Sequence, residues 1–282
     1  MTSVLLGPAV AGSWYPRDTE ELRRRVDALL EAEGAEPRRS VRAIIAPHAG
    51  FDYSGAVAGS AFAGLKGRRP DRVLLLGPSH HFGFTGAAVP DAATAMRTPL
   101  GDLPIDREAT AALRTVRGFR ADDGVFAPEH ALEAELPFLQ RALACEAPLV
   151  PVLLGGQATA DDARRTADAL APLITASTLV VVSSDFTHYG PRFGYVPFTD
   201  ERPRRIHDLD RGAIAAIVAG DAAGFSRYVE TTGATICGHR AIEVLLALRP
   251  AEGGGRQLAY DTSGRMTGTW DHSVSYAAIE FP

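Results

Sequence analysis

Short apolar runs alternate along this chain with segments in which apolar residues recur every three or four positions. The runs with the length and composition of buried β-strands are residues 41–46, 72–76, 149–154, 179–182, 258–260 and 273–279. The segments between most of these runs have the period of a helix. This alternation is typical of an α/β fold with three layers, in which a mixed or mainly parallel sheet is flanked by helices.

Helices are predicted wherever the apolar residues fit one helical face. The first begins after Asp18, which can cap it, and ends near Gly34. The others are residues 56–65, 108–116, 131–144, 160–176, 206–217, 220–229 and 238–248. Pro137 must start or kink the helix at 131–144, because proline has no amide hydrogen. The segments without a clear period, predicted as turns, loops and edge strands, are residues 50–55, 84–105 and 192–205.

The composition narrows the class of protein. The chain has 282 residues, 46% hydrophobic and 22% charged, and no linker or repeat divides it, so we predict a single domain over residues 1–282. A net charge of −5 argues against a nucleic-acid or membrane surface as partner. Two cysteines, with no apolar stretch long enough for a membrane span, predict a protein of the reducing cytoplasm.

Four of the eight histidines directly follow predicted strands. They are His48, the pair His80 and His81, and His188, which comes three residues after Asp185. Open α/β sheets place their chemistry at such strand ends, and imidazole is the commonest metal ligand. For one such histidine, a hydrogen-bonded loop residue is the simpler interpretation. Strand ends that carry histidine at three places favour a common site instead.

Cys237 lies at the predicted start of the helix at 238–248, where free amides and the helix dipole can stabilise a thiolate. The alternative is a small buried apolar residue, which is the interpretation for Cys145. Two histidines and one cysteine far apart in sequence match no zinc-finger spacing. Imidazole and thiolate donors together suit copper, iron or zinc, and the sequence does not choose among them.

Other residues around these strand ends can supply chemistry or a pocket. Asp185 and His188 can form a general base with an orienting carboxylate, although Asp185 can also cap a turn and His188 can be a ligand. Glu129 and Glu133, beside His130, are explained equally well as a solvated or capping pair. Aromatic residues can wall a pocket, although core packing explains them too. Phosphate-loop, dinucleotide and Gly-x-Ser-x-Gly motifs are absent.

Several of these segments together resemble the Memo family, called protein B of the AmmeMemoRadiSam system in bacteria and archaea. The segments are Ala-Gly-Ser-Trp-Tyr-Pro, Ala-Pro-His-Ala-Gly-Phe-Asp-Tyr, Gly-Pro-Ser-His-His, Glu-His-Ala-Leu-Glu, Ser-Ser-Asp-Phe-Thr-His, Thr-Ile-Cys-Gly and Asp-His-Ser-Val-Ser-Tyr. They run in order along almost the whole chain. The family is similar to the class III extradiol dioxygenases, whose fold is therefore expected here.

The resemblance implies a role for each candidate residue. The metal ligands would be His48, His80 and Cys237, and the metal a redox-active ion, iron or copper, with zinc as a further option. His188 would be the acid–base histidine, with Asp185 beside it. The residues that remain as candidates for substrate binding are Tyr53, His81, His130 and Trp14.

We consider three hypotheses for the function. The first is a metal-dependent redox or dioxygenase-like enzyme with an unknown substrate. The second is a module without catalysis that recognises a peptide or protein around Trp14 and Tyr53, and the third is a zinc hydrolase that uses His188 as base. Prokaryotic relatives make radical-SAM and AMMECR-type proteins candidate partners.

Overall fold

The structure, a computed structural model, describes residues 4–31, 41–248 and 253–282. The strands are β1 (Val4–Leu6), β2 (Ala43–Ala46), β3 (Arg72–Pro78), β4 (Ala87–Val89), β5 (Ala93–Thr98), β6 (Gly101–Pro104), β7 (Phe119–Ala121), β8 (Leu149–Leu154), β9 (Thr178–Ser183), β10 (His188–Tyr189), β11 (Arg256–Thr262) and β12 (Ser273–Phe281). The α-helices are α1 (Thr19–Glu31), α2 (Phe51–Ala63), α3 (Arg107–Arg114), α4 (Leu136–Ala142), α5 (Ala160–Leu170), α6 (Arg202–Val218), α7 (Ala222–Thr232), α8 (His239–Leu248) and α9 (Ser263–Thr267).

Four parallel strands form the centre of a large mixed sheet. Their order is β2, β9, β3, β8, so that the carboxyl ends of all four lie along one edge. Antiparallel strands flank them, with β12 next to β2 and β4 next to β8. A second, small sheet joins β1, β5 and β6.

Alternate residues of the central strands build two separate cores. Ile44, Leu75 and Val181 pack with α1, α2 and α4 on one face of the sheet. Ile45 and Val182 belong to the other core, which holds the apolar faces of α3 and of α5 to α8. Since successive side chains of a strand point to opposite faces, continuous apolar runs are what a sheet covered on both sides requires.

The predicted α/β architecture is confirmed, with a sheet between two layers of helices. Pro137 lies in the first turn of α4, where the missing amide hydrogen removes no helical bond. The predicted turn at residues 50–55 is wrong, because α2 begins at Phe51 with Gly50 before it. Part of the predicted loop at 192–205 is also helical, since α6 begins at Arg202. The predicted end of the first helix near Gly34 lies outside the described residues.

The described residues contain no helix with both the length and the apolar character that crossing a membrane requires.

Glycines in α2 allow α1 to lie close against it. A Cβ built on Gly59 would stand 2.2 Å from the backbone oxygen of Leu29, and one on Gly55 would stand 2.9 Å from a methyl carbon of the same leucine. The backbone contact cannot be relieved by a side-chain rotation. The small residues that made residues 50–55 resemble a turn are therefore a packing surface.

We expect Gly59→Ala to lower the free energy of unfolding by about 1–3 kcal/mol, because the two helices must separate. An alanine in an unconstrained helix would instead add up to about 1 kcal/mol of stability. Urea unfolding of the variant distinguishes the two signs. Ser60→Ala, at the next position and bonded only within its own helix, is the control and should change stability by less than about 0.5 kcal/mol. A stabilised Gly59→Ala would contradict the close packing.

Candidate metal centre

The sheet brings the predicted ligands to one place. His48 follows β2, His80 follows β3, and Asp185 follows β9, which lies between these two strands. Cys237 precedes α8, which packs against β9. The potential ligand atoms of His48, His80 and Cys237 all lie within 4.8 Å of one another. These three residues therefore form a group with the geometry to hold a metal ion.

The ring of His48 is held by a buried serine. Its Nδ1 lies 2.8 Å from Ser183 Oγ, and that hydroxyl donates to the carbonyl oxygen of Ala131 at 2.6 Å. A hydroxyl has one hydrogen, so Nδ1–H donates to Ser183 and Nε2 keeps its lone pair. Nε2 lies 3.3 Å from Cys237 Sγ. Ligands of one tetrahedral zinc ion would be separated by about 3.5 Å, so the spacing fits a shared ion.

The ring of His80 is held by a buried carboxylate. Glu129 accepts Nδ1–H of His80 at 2.8 Å, the backbone N–H of His80 at 2.6 Å and that of Ala131 at 2.9 Å. Burial alone would raise the pKa of Glu129, but the contacts with His80 and the backbone donors outweigh it and lower the pKa. Glu129 is therefore ionised, and Nε2 of His80 is free to bind a metal.

Cys237 is a thiol in the metal-free protein. Its Sγ accepts the backbone N–H of Asp185 at 3.2 Å. Burial, and then the nearby carboxylate of Asp185, raise the pKa of Cys237 well above its usual value. In the metal-free protein, desolvation outweighs the amide donors at the start of α8 and disfavours the thiolate. A metal ion would have to displace the thiol proton.

Asp185 and His188 lie in the same loop, but their polar contacts differ from the predicted pair. Asp185 is buried and accepts the backbone N–H of His48 at 2.9 Å, and burial raises its pKa. Nδ1 of His188 lies 2.9 Å from the carbonyl oxygen of Phe186 and 3.0 Å from that of Thr235. Two carbonyls, rather than the Asp185 carboxylate, therefore orient the ring of His188.

The rings of His80, His130 and Trp14 contact one another in a row, with His130 in the middle. The ring of His130 stacks on His80 with 4.5 Å between centroids and contacts Trp14 at 4.2 Å. Burial is the main cause that lowers the pKa of His130 to about 4. His81 is exposed, with its ring 6.0 Å from that of His130, and Tyr53 is 46% exposed.

A cavity of about 670 Å³ opens beside the candidate metal centre. It is lined by Pro78, Ser79, His80, Leu154, Gly155, Gly156, Ala158, His188, Phe193, Gly233, Ala234, Thr235, Ile236, Cys237, Gly238, His239, Arg240 and Ala241. Two of the candidate ligands and His188 face this space together. None of the four predicted substrate-binding residues is among its lining residues, so their role stays a prediction.

A second group of potential ligands shares His80. His80, Glu129 and His130 also offer atoms within 4.8 Å of one another. The two oxygens of Glu129 already accept three N–H donors, however, and a metal there would compete with the contact that orients His80. The group with Cys237 has no such conflict and is the better candidate.

Sequence reasoning missed the residues that support the ligands. Glu129, Glu133 and Glu135 are all buried, which excludes the solvated pair. Glu133 accepts the hydroxyl of Tyr15 at 2.5 Å and two backbone N–H groups near the amino terminus. Glu135 Oε1 lies 2.7 Å from Ser183 Oγ. The available signal was the presence of three acidic residues within seven positions of an apolar segment. Carboxyl groups are rarely buried unless they are paired or neutral, so acids in such a segment indicate buried carboxyls with partners.

Comparison of the chain with a family sequence model and with known proteins points to one family. A sequence model for the family described as Memo-like protein matches residues 7–280. A MEMO1 family protein of Methanopyrus kandleri is 34% identical, covering 97% of this chain and 98% of that protein. Protein MEMO1 of Homo sapiens is 33% identical, covering 95% and 94%. A solved structure of an uncharacterized Escherichia coli K12 protein has a TM-score of 0.53 over 86% of this chain and 100% of that one; at 13% identity it shows a shared fold alone.

We expect Glu129→Gln to weaken metal binding about 10- to 100-fold, because the amide no longer supplies the charged acceptor that orients His80. A competition titration against a chromophoric chelator measures the affinity. Glu133→Gln is the matched control: it alters a buried glutamate that contacts Tyr15 and the amino-terminal segment, and it should leave the affinity unchanged. Equal affinities in wild type and Glu129→Gln would contradict the role of Glu129.

Glu135 gives the metal-free protein a defined pH dependence. Burial raises the pKa of this fully buried carboxyl well above 4.5, so the folded state keeps a proton that the unfolded state loses. The stability from this group is complete below pH 4.5 and is lost as the pH rises towards the folded pKa, by up to about 1.4 kcal/mol per pH unit.

Glu135→Gln removes this titration and keeps a polar group beside Ser183. The free energy of unfolding of the variant, relative to wild type, should therefore increase between about pH 5 and pH 8. Urea unfolding across this range measures the difference, in which groups common to both proteins cancel. A difference independent of pH would mean that Glu135 is ionised in the folded protein.

Proposed function

This chain belongs to the Memo family, and we propose that it is a metal-dependent redox or dioxygenase-like enzyme with one metal ion held by His48, His80 and Cys237. The main observation behind the proposal is the way in which the rings of His48 and His80 are hydrogen-bonded. Each has its Nδ1 at 2.8 Å from a buried oxygen, so Nε2 is the ring atom that remains for a metal beside the Cys237 sulfur. Ligand histidines are commonly fixed in this way.

The donor set fits a redox-active metal. Two imidazoles and a sulfur suit iron, copper or zinc, and three protein ligands leave open positions for a substrate. We propose iron or copper, in line with the resemblance of the family to non-haem iron dioxygenases. When bound, such an ion would supply Lewis-acid and one-electron chemistry.

The chain's own residues would handle protons and exclude water. His188 lines the cavity with its Nδ1 against backbone carbonyls, so the neutral ring would accept a proton from a bound substrate at Nε2. Asp185 fixes the backbone at His48 and presents its own N–H to the Cys237 sulfur. Apolar walls from Leu154, Phe193 and Ile236 would limit the water that reaches the reacting group.

A reducing compartment suits this site. Both cysteines are free, and an oxidised Cys237 would no longer be a metal ligand. We therefore propose that the protein acts in the cytoplasm.

Metal analysis after anaerobic purification tests the proposal. We expect about one iron or copper per chain in wild type, and a loss of tenfold or more in His48→Ala and Cys237→Ser, because each removes one of only three protein ligands. Cys145→Ser is the matched control and should keep the full metal content, since Cys145 lies far from the site and contacts the carbonyl of Pro70. Equal, low metal content in all four proteins would overturn the proposal.

A further inference from the structure

We propose that the cavity beside the metal centre binds a small carboxylate with an apolar body, and that Arg240 holds the carboxylate group. The inference rests on the proposed function, because it assigns the substrate class of the same site. It depends on the charges that line the cavity, on the contacts of one arginine and on the apolar remainder of the wall.

The charges along the cavity wall favour an anion. Its lining residues include His80, His188, His239 and Arg240, and no aspartate or glutamate is among them. A divalent metal bound with one thiolate would add a net positive charge beside the cavity. An anionic group would therefore meet no acidic side chain among the lining residues; the carboxylate that pairs with Arg240, that of Glu243, is not one of them.

The guanidinium group of Arg240 is held by hydrogen bonds from two of its three nitrogens. Its Nε donates to the carbonyl oxygen of Ala158 at 3.0 Å, and its Nη1 donates to both oxygens of Glu243 at 2.9 and 2.7 Å. Nη2 makes no hydrogen bond within the part of the chain that the structure describes. A guanidinium fixed on one side can bind an anion on the other without further loss of side-chain freedom.

The rest of the wall suits an apolar body. Pro78, Leu154, Phe193 and Ile236 contribute apolar surface to the cavity wall. The volume of about 670 Å³ lies within the usual range for small-molecule sites. Nδ1 of His239 lies 2.8 Å from the carbonyl oxygen of Ile236, and Arg240 is the one arginine or lysine among the lining residues.

Benzoate and the uncharged benzamide are matched probes for this site. Their binding to the metal-free protein and to the zinc-loaded protein can be followed by calorimetry. We expect benzoate to bind both forms at least about tenfold more tightly than benzamide, since a charge-assisted hydrogen bond is lost in the amide. Equal binding of the two probes, or no binding of benzoate to either form, would overturn the proposal.

Two variants test whether the anion binds at Arg240. Arg240→Gln with Glu243→Gln removes the cation without leaving an unpaired buried carboxylate, and it should weaken benzoate binding at least about tenfold with no change for benzamide. Arg165→Gln is the control, because Arg165 forms a similar pair with an acid three residues before it in α5, outside the cavity lining. Circular dichroism checks that each variant is folded.

The outcomes separate this proposal from the proposed function. If the double variant binds benzoate as wild type does, the assignment to Arg240 is wrong, whatever the metal content. If benzoate binds only the zinc-loaded form and this binding persists in the double variant, the anion is a metal ligand: the metal centre stands and the Arg240 site does not. If metal content fails its own test and metal-free binding still depends on Arg240, the carboxylate site stands alone.

Discussion

The candidate site depends on one constraint: Nδ1 of the buried His48 ring and Nδ1 of the more exposed His80 ring must each be held by a buried acceptor. Ser183 holds that of His48, and Glu129 holds that of His80. An unsatisfied donor on the buried ring of His48 would cost about 1–3 kcal/mol. Because Nδ1 of each ring has a partner inside the fold, Nε2 is the atom of each ring that remains for a metal beside Cys237. The direction of the hydrogen bonds therefore determines what the site can bind.

The sheet order makes this arrangement possible. β9 lies between β2 and β3, so its last residue, Ser183, lies beside the segment that carries His48. The loop after β9 then carries Asp185 to the backbone of His48 and to the sulfur of Cys237. Gly238 lets the start of α8 approach this loop, because a Cβ there would stand 2.5 Å from the Cβ of Ser184. Every element of the site is thus positioned from the same edge of four parallel strands.

Much of this arrangement is visible in the sequence, and the remainder has a physical reason for being hidden. Apolar runs that end in histidine predict both the sheet and the edge at which the chemistry lies. The sequence does not reveal that Glu129 orients His80, because a glutamate next to a histidine is equally consistent with an exposed turn. The start of α2 at Phe51 was hidden for a different reason: its glycines serve close helix packing and resemble a turn. The orientation of His188 by two carbonyls leaves no trace in side-chain identity.

The central claim is that a single metal ion lies between His48, His80 and Cys237. Anomalous scattering from a crystal of the metal-loaded protein, recorded on both sides of the absorption edge of the metal, tests it most directly. The account predicts one peak within bonding distance of Nε2 of both histidines and of the Cys237 sulfur, about 2.0–2.3 Å from each. A peak among His80, Glu129 and His130 instead, or no element-specific signal near Cys237, would contradict it.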